Sequence, residues 1–142
     1  MKKLILFLFS AAFLGYNSNA QDLKAEKVPA VVKEALAKKY PKATKVSWEK
    51  EKGNYEANWG GKSGEDTSVQ FTPAGVFVEE ANAIPVSQLP TNIAHYVKAY
   101  YNGAKIREAS KVTDAAGNKM LEAEIKGADL LFSESGMFIK KD

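Results

Sequence analysis

The chain has 142 residues, with 20 Lys and Arg against 17 Asp and Glu, a formal net charge of +3 and no cysteine. The lack of cysteine excludes disulfides, Cys-metal sites and a lipid anchor on an N-terminal cysteine. The basic residues do not cluster as they would in a nucleic-acid-binding protein. A chain of this size normally forms one compact unit, and this one must depend on its apolar core.

The first 20 residues have the layout of a secretory signal. Met1-Lys2-Lys3 is a basic start, an apolar run follows, and the small residues Ser18 and Ala20 predict cleavage after Ala20. The alternative is an uncleaved membrane anchor, which would need roughly 20 apolar residues. Cleavage removes two of the 20 basic residues and leaves 18 against 17 acidic ones. We therefore expect a periplasmic or secreted protein without a stable membrane anchor.

Residues 28–80 are predicted to form a helix followed by four strands, after a flexible polar lead-in at 21–27. Val28-Pro29 opens the helix, because proline is tolerated in the first turn. Pro41 ends it, since the residue before a proline is pushed out of helical geometry. The apolar period then changes from helical to two, and Gly53-Asn54 marks a hairpin turn.

The same plan restarts after a connector at 81–88 and fills residues 89–142. Leu89-Pro90 opens a second helix and Asn102-Gly103 ends it, before four further strands. Matches at a shift of 61 residues, or of 66 within the first hairpin, fall on turn, cap and core positions: Pro29 with Pro90, Tyr40 with Tyr101, Phe71 with Phe132, Gly75 with Gly136, Phe77 with Phe138, and Glu56 with Glu122. We favour a duplicated unit over two amphipathic patterns that arose separately.

The predicted fold class is α+β, with two tandem repeats that each place a helix on a four-stranded antiparallel sheet. One unit is marginal for a single core, whereas two share a larger one. The helix-covered face is predicted to hold Val46, Trp48, Tyr55, Ala57, Trp59, Val69, Phe71, Ile106, Leu121, Ala123, Ile125, Leu130 and Phe132. The opposite face, which an antiparallel sheet can leave in water, is predicted to hold Ser47, Glu49, Glu56, Asn58, Ser68, Gln70, Glu122 and Glu124, and Phe77, Phe138 and Leu131 by parity.

No set of residues with the pattern of a catalytic, cofactor or metal site is found in the sequence. The single histidine, His95, is expected at the surface of a helix. Gly61-Lys62-Ser63 ends like a phosphate-binding loop, but Glu56 stands where that loop needs its first glycine. Glu65-Asp66 and Asp114 lack the spaced oxygen ligands of a calcium loop. We therefore predict a protein without catalytic activity or cofactor.

Four residues are candidates for contact with a partner: Phe77, Phe138, Glu56 and Glu122. Aromatic side chains on an open sheet face carry much of the binding energy at interfaces. Phe77 and Phe138 therefore predict contact with another protein, unless the connector or packing between the repeats covers them. Glu56 and Glu122 are repeat mates that are expected at solvated strand positions, where they could also approach as a carboxylate pair.

The segment VPAVVKEALAKKYPKATKVSWEKEKGNYEANW resembles the start of the PepSY-like, beta-lactamase-inhibitor-like exported proteins of Bacteroidetes. The resemblance rests on Val28-Pro29, Lys39-Tyr40-Pro41, Val46, Trp48, Gly53-Asn54-Tyr55-Glu56 and the Phe71-x-x-x-Gly75 turn. The second repeat departs from it, with Asn102-Gly103 in place of the proline stop and no tryptophan. The resemblance implies two tandem units similar to the beta-lactamase inhibitor protein, whose sheets form a concave surface that grips an enzyme. No inhibitory residue maps onto this chain.

The expected function is that of an exported, non-enzymatic binding module that uses its exposed sheet face or hairpin tips on another envelope or extracellular protein, including as an inhibitor. The alternative is a periplasmic binder of a small ligand or envelope component, with a pocket between the repeats. An enzyme is the third hypothesis, and it would require a cleft with clustered, pKa-shifted groups. Nucleic acid is not an expected partner.

Overall fold

The computed structural model describes residues 21–142, and the predicted signal segment 1–20 lies outside them. The helices are α1 (Ala30–Lys39) and α2 (Thr91–Tyr100). The strands are β1 (Gln21–Leu23), β2 (Ser47–Glu51), β3 (Asn54–Trp59), β4 (Thr67–Phe71), β5 (Phe77–Ile84), β6 (Glu108–Asp114), β7 (Lys119–Ile125), β8 (Ala128–Ser133) and β9 (Phe138–Lys141).

All nine strands form one antiparallel sheet whose spatial order follows the chain, from β1 to β9. The bounds of α1 and α2 differ by the same 61 residues that relate the two halves of the sequence. Each helix is followed by four strands, so the predicted α+β architecture with two tandem repeats is confirmed.

Each helix packs on its own part of the sheet and builds its own core, so the two repeats do not share one larger core as expected. Val32 and Leu36 of α1 lie with Trp48, Tyr55, Ala57, Val69 and Phe71 in the first cluster. Ile93 and Val97 of α2 lie with Leu121, Ala123, Ile125, Leu130 and Phe132 in the second cluster. Both helices use an i, i+4 pair, because residues four apart share one side of a helix. Val46, Trp59 and Ile106 pack at the margins, so every residue predicted for the covered face lies there.

The first half of the predicted connector at 81–88 belongs to a strand. β5 runs on to Ile84 and pairs with β4 on one side and with β6 on the other. Residues 85–90, which include a short 3₁₀ turn at Val86–Gln88, separate it from α2. The small side chains of Ala81 and Ala83 gave no strand signal, but a central strand is held by backbone pairing on both edges. β5 therefore joins the two repeats into one sheet.

The predicted lead-in at 21–27 is also partly ordered. β1 pairs with β2 through Gln21 with Lys50, Asp22 with Glu49 and Leu23 with Trp48. Leu23 packs at the margin of the first core, and a 3₁₀ turn at Ala25–Lys27 leads to α1. A segment of three residues is too short for its alternation to be recognised in the sequence.

Phe77 and Phe138 do not face away from the helices, so this prediction was wrong. Gln70 pairs with Glu79 but Phe71 pairs with Phe77, which leaves Val78 as an extra residue in a β-bulge. Such a bulge reverses the alternation beyond it, and Phe77 packs against the first core.

The second repeat contains the same irregularity. Leu131 pairs with Lys140 and Phe132 with Phe138, so Ile139 is the extra residue. Phe138 therefore stacks on Tyr96 of α2, with ring centroids 4.8 Å apart. Leu131 keeps its predicted face, since it pairs with Glu122, but it is buried there.

This correction changes the expected effect of Phe77→Ala from a loss of binding to a loss of stability. The Phe77 ring meets Phe71 edge-on at 6.3 Å, and Lys39 Nζ lies 4.4 Å from its centroid. We expect the substitution to lower the free energy of unfolding by about 2 kcal/mol, less than a fully buried phenylalanine because Phe77 is half-buried. Urea unfolding measures the change. Val76→Ala, at an adjacent side chain that is 60% exposed, should change stability by less than about 0.5 kcal/mol. Equal unfolding midpoints for the two variants would contradict the placement of Phe77.

Candidate binding cleft

The strand register places carboxylates from both repeats on the sheet face that the helices leave free. In the first repeat, Glu56 pairs with Gln70 and Gln70 with Glu79, which forms a polar row across three strands. In the second repeat, Glu122 lies between Ser110 and Leu131, and Glu124 pairs with Asp129. The helix face is apolar at the alternating positions, so side-chain alternation along the strands puts these groups on the other side.

The free face forms a cleft of about 300 Å³ because the sheet curves strongly. Lys52 lies in the β2–β3 turn and Asp142 follows β9, seven strands further along the sheet. A flat sheet would separate them by about 30 Å, yet Lys52 Nζ and Asp142 Oδ1 are 3.9 Å apart. The curvature therefore turns the acidic faces of the two repeats toward each other.

The lining of the cleft is dominated by acidic side chains. Ten of its 18 lining residues are acidic: Glu49, Glu51, Glu56, Glu65, Glu79, Glu108, Glu122, Glu124, Asp129 and Asp142. Lys52 is the one cationic residue among them. Lys140 lies close by, where its Nζ is 2.8 Å from Asp142 Oδ2. Negative charge therefore exceeds positive charge within the cleft.

Burial and repulsion by neighbouring carboxylates raise the pKa values of four carboxyl groups in the cleft, those of Glu51, Glu79, Glu122 and Asp129. Burial raises the pKa of Glu122 to about 8, and the charges of Asp129, Glu79, Glu51 and Glu56 add to the increase. Burial also raises the pKa of Glu51 to about 7, with further contributions from the charge of Glu56 and a hydrogen bond to it. The pKa values of Asp129 and Glu79 are also raised, chiefly by burial. Charged carboxylates this close disfavour one another, so protons are held in the cleft.

The floor of the cleft is made of small and amide side chains. Asn58 is buried, and Ser68 Oγ donates a hydrogen bond to its Oδ1. Gln70 Nε2 donates to Glu56 Oε2 at 3.1 Å. Ala81 and Ala83 of β5 line the middle of the cleft and leave room above the central strand. The hydrogen bond from Gln70 therefore helps to hold the carboxylate of Glu56 in place at the cleft.

Two of the four candidate residues from the sequence come together and two lie elsewhere. Glu56 and Glu122 line the same cleft, and both are half-buried rather than solvated as expected. Phe77 and Phe138 pack on the helix side of the sheet. The four residues therefore belong to opposite faces and do not form one surface.

Sequence reasoning missed Glu51, Glu79 and Asp129 as parts of this site. Glu51 has the same parity as Glu49, so the alternation in β2 was a usable signal. The bulge in β5 hides the face of Glu79. Asp129 lies in β8 only two residues after Gly127, so its surroundings have the composition of a turn. The curvature that brings these groups together has no signature in the alternation.

The cleft contains the clustered, pKa-shifted carboxyl groups that the enzyme hypothesis requires, but among the described residues neither a metal site nor a histidine accompanies them. Between residues 21 and 142, no group of three or more His, Cys, Asp or Glu side chains has an arrangement that holds a metal ion. His95 is exposed on α2, away from the cleft. Neither α1 nor any other helix in this range is long and apolar enough to cross a membrane.

Solved structures from Bacteroides share this fold. A "putative periplasmic" protein from Bacteroides eggerthii DSM 20697 is 21% identical, with a TM-score of 0.60, over 81% of this chain and 88% of the other. A DUF2874 family protein from Bacteroides uniformis ATCC 8492 is 24% identical, with a TM-score of 0.60, over 80% and 88%. A BLIP-like protein from Bacteroides fragilis NCTC 9343 is 20% identical, with a TM-score of 0.51, over 80% and 84%.

The sequence itself matches one family model twice, in agreement with the duplication. The family is described as "Putative beta-lactamase-inhibitor-like, PepSY-like", and the matches cover residues 5–79 and 59–140. No curated protein matches the chain. The description is inhibitor-like and indicates no catalytic activity. With two repeats, an antiparallel sheet and two matches that together cover most of its length, the chain belongs to the PepSY-like, beta-lactamase-inhibitor-like family.

Proposed function

We propose that this protein is an exported, non-enzymatic binding module whose acidic cleft accepts a basic side chain or basic segment of another protein. The observation that carries the proposal is the convergence of carboxylates from both repeats around a cleft that holds one lysine. The family's inhibitor-like description supports a protein as the partner. So do the structural neighbours that are described as periplasmic, since they suggest a compartment where such a partner would be met.

The energetics of the cleft favour a cationic occupant. Burial on one concave face raises the pKa values of Glu51, Glu79 and Glu122, and the charges of neighbouring carboxylates raise them further. A lysine or arginine placed among them relieves this repulsion and stabilises the ionised forms. A cleft lined by charges of one sign also focuses its field outward and speeds the arrival of an oppositely charged partner.

A second candidate function is the binding of a small cationic ligand. The cleft lies between the repeats, as the alternative hypothesis requires, and about 300 Å³ is at the lower end of the volumes of small-molecule sites. Its polar lining excludes an apolar ligand and fits a polyamine-like cation. The two functions share one site and one chemistry, and they differ in how much of the occupant lies outside the cleft.

A binding experiment with defined cations tests both. The probes are a trilysine peptide and spermidine, and isothermal titration calorimetry measures their affinities for the wild type and for Glu51→Gln/Glu56→Gln. We expect the double variant to bind trilysine about ten-fold more weakly, since two charge-assisted contacts are lost. The matched control is Glu34→Gln/Glu134→Gln, which makes the same change in net charge at exposed positions away from the cleft.

The pattern of affinities separates the two functions. Tighter binding of trilysine than of spermidine supports a protein segment as the occupant, and the reverse order supports a small ligand. Binding that weakens equally in the cleft variant and in the surface control would reflect only the overall charge of the protein, and would contradict both. All titrations need the same moderate ionic strength, because salt screens such interactions.

A further inference from the structure

The outer edge of β9 is unpaired among the described strands, whereas the corresponding edge of β5 in the first repeat is paired. β5 pairs with β4 on one side and with β6 on the other. β9 occupies the same place in the second repeat, but it is the last strand of the sheet and pairs with β8 alone among the described strands. The duplication thus shows what fits this edge, namely an antiparallel strand. Unpaired backbone groups at a sheet edge readily accept such a strand.

An aromatic cluster that is specific to the second repeat borders this edge. The ring of Tyr96 lies between the rings of Tyr100 and Phe138. Its centroid is 4.5 Å from that of Tyr100 and 4.8 Å from that of Phe138. Tyr100 is 71% exposed and Ile139 is 49% exposed. At a shift of 61 residues, Ala35 and Lys39 stand in place of Tyr96 and Tyr100, and the ammonium group of Lys39 covers Phe77. The corresponding surface in the second repeat is therefore uncovered and more apolar.

The charges on β9 indicate which strand would fit. Lys140 and Lys141 are both exposed, and Lys140 is already close to Asp142. Pairing of β9 with a second β9 around a twofold axis would place two lysines on each face of the sheet, and like charges on neighbouring strands are destabilising. Lys141 pairs with Leu130 and so shares the helix side of the sheet with Phe138. A complementary strand would carry an acidic side chain and, two residues further on, an apolar one.

We propose that the outer edge of β9 accepts an extended segment of another protein by antiparallel strand addition, with an acidic side chain beside Lys141 and an apolar side chain against the Tyr96–Tyr100–Phe138 cluster. In this binding mode, main-chain hydrogen bonds give affinity and alternate side chains give specificity. Lys141 and the aromatic cluster lie on the helix side of the sheet, whereas the acidic cleft lies on the opposite side. The edge therefore selects the opposite charge from the cleft. A partner could therefore use one surface without occupying the other.

Peptides of defined sequence test this proposal. The probe is the capped peptide Thr-Asp-Thr-Val-Thr-Val-Thr, and the comparison is the same peptide with Lys in place of Asp. We expect the acidic peptide to slow hydrogen exchange at the amides of residues 138–142 and not at those of β1. It should also bind about five-fold more tightly than the basic one, as expected for a cross-strand charge pair.

Charge exchange provides the decisive variant. Lys141→Glu should reverse the preference so that the basic peptide binds more tightly, and a purely structural role for Lys141 would not produce this reversal. Tyr100→Ala should weaken the binding of both peptides. Lys62→Glu, at an exposed position in the β3–β4 loop, should change the affinity for neither peptide. Equal affinity for the two peptides, or no slowing of exchange in β9, would overturn the proposal. So would a dimer that protects the β9 amides without peptide, because a second copy would then occupy the edge.

Discussion

Glu122→Gln should raise the unfolding temperature of the protein at about pH 8.5 and reduce the dependence of its stability on pH. The carboxyl group of Glu122 has a pKa of about 8 in the folded protein, against an ordinary value of 4.5. The folded state therefore holds this proton more tightly than the unfolded state does. Stability contributed by such a group is present at low pH and is lost as the pH rises from 4.5 through 8.

The wild-type protein should accordingly be more stable at about pH 5.5 than at about pH 8.5. Glu51, with a pKa of about 7, acts in the same direction over the lower part of this range. We expect Glu122 to account for about 2 kcal/mol of the difference in the free energy of unfolding between these two pH values. The figure is smaller than the full pKa shift implies, because water at the mouth of the cleft screens part of the repulsion. Glutamine keeps the shape of the side chain and cannot ionise, so the variant should lack that part of the pH dependence.

Thermal and urea unfolding at both pH values measure the effect. Glu34→Gln is the matched control, since the exposed carboxyl group of Glu34 on α1 lies outside the cleft. The control should follow the pH profile of the wild type. A variant at position 122 with the same profile as the wild type would show that the carboxylates of the cleft are solvated and do not repel one another appreciably.

The same linkage affects the proposed function. A cation that enters the cleft stabilises the ionised carboxylates, so its binding must release protons from groups such as Glu51 and Glu122 when the pH lies near their pKa values. Affinity for trilysine should therefore fall on acidification. The affinities of cleft variants must be compared at one pH, since each substitution also removes a titrating group.

The sequence predicts the covered face of the sheet correctly because alternation is a local property. In an antiparallel sheet with one buried face, each strand must place its apolar residues at every second position. Trp48, Ala57 and Val69 follow this rule in the first repeat, and Leu121 and Ala123 follow it in the second. Each of these assignments needs only the neighbours in the chain.

The errors arise where the register changes or where backbone pairing replaces side-chain signals. A bulge at Val78 and another at Ile139 turn Phe77 and Phe138 to the helix side, although both have the opposite parity along the chain. A bulge adds one residue to one strand of a pair, and it becomes visible only when the partner strand is known. The extension of β5 to Ile84 has a similar origin, because its pairing with β6 is a contact between the repeats.

The candidate site could be predicted only in part. The parity of Glu56 and Glu122 places them on the free face, and the repeat relates them to each other. Their convergence with Asp129 into one cleft depends on the curvature of the sheet, which is a property of nine paired strands. Curvature also converts solvated strand positions into half-buried ones, and it is therefore the source of the raised pKa values.

Phe71→Ala and Phe132→Ala should each lower the free energy of unfolding by about 3–5 kcal/mol. The two residues are repeat mates at the centres of the two cores, and both are almost completely buried. Although the cores are separate clusters, β5 forms continuous ladders with β4 and with β6. Loss of the first core would free the edge of β5 that pairs with β4, and β5 is the strand on which the second repeat pairs through β6. We therefore expect the wild type and both variants to unfold in a single transition.

Hydrogen exchange followed residue by residue distinguishes one cooperative unit from two. If the repeats unfold together, Phe71→Ala should speed exchange in β7 and β8 as much as in β3 and β4, because these amides exchange through global unfolding. Val76→Ala serves as the control, since its exposed side chain lies outside both cores. Two separate transitions, with Phe71→Ala affecting the first repeat alone, would show that β5 joins two independently stable units and that the cleft between them can change shape without unfolding either one.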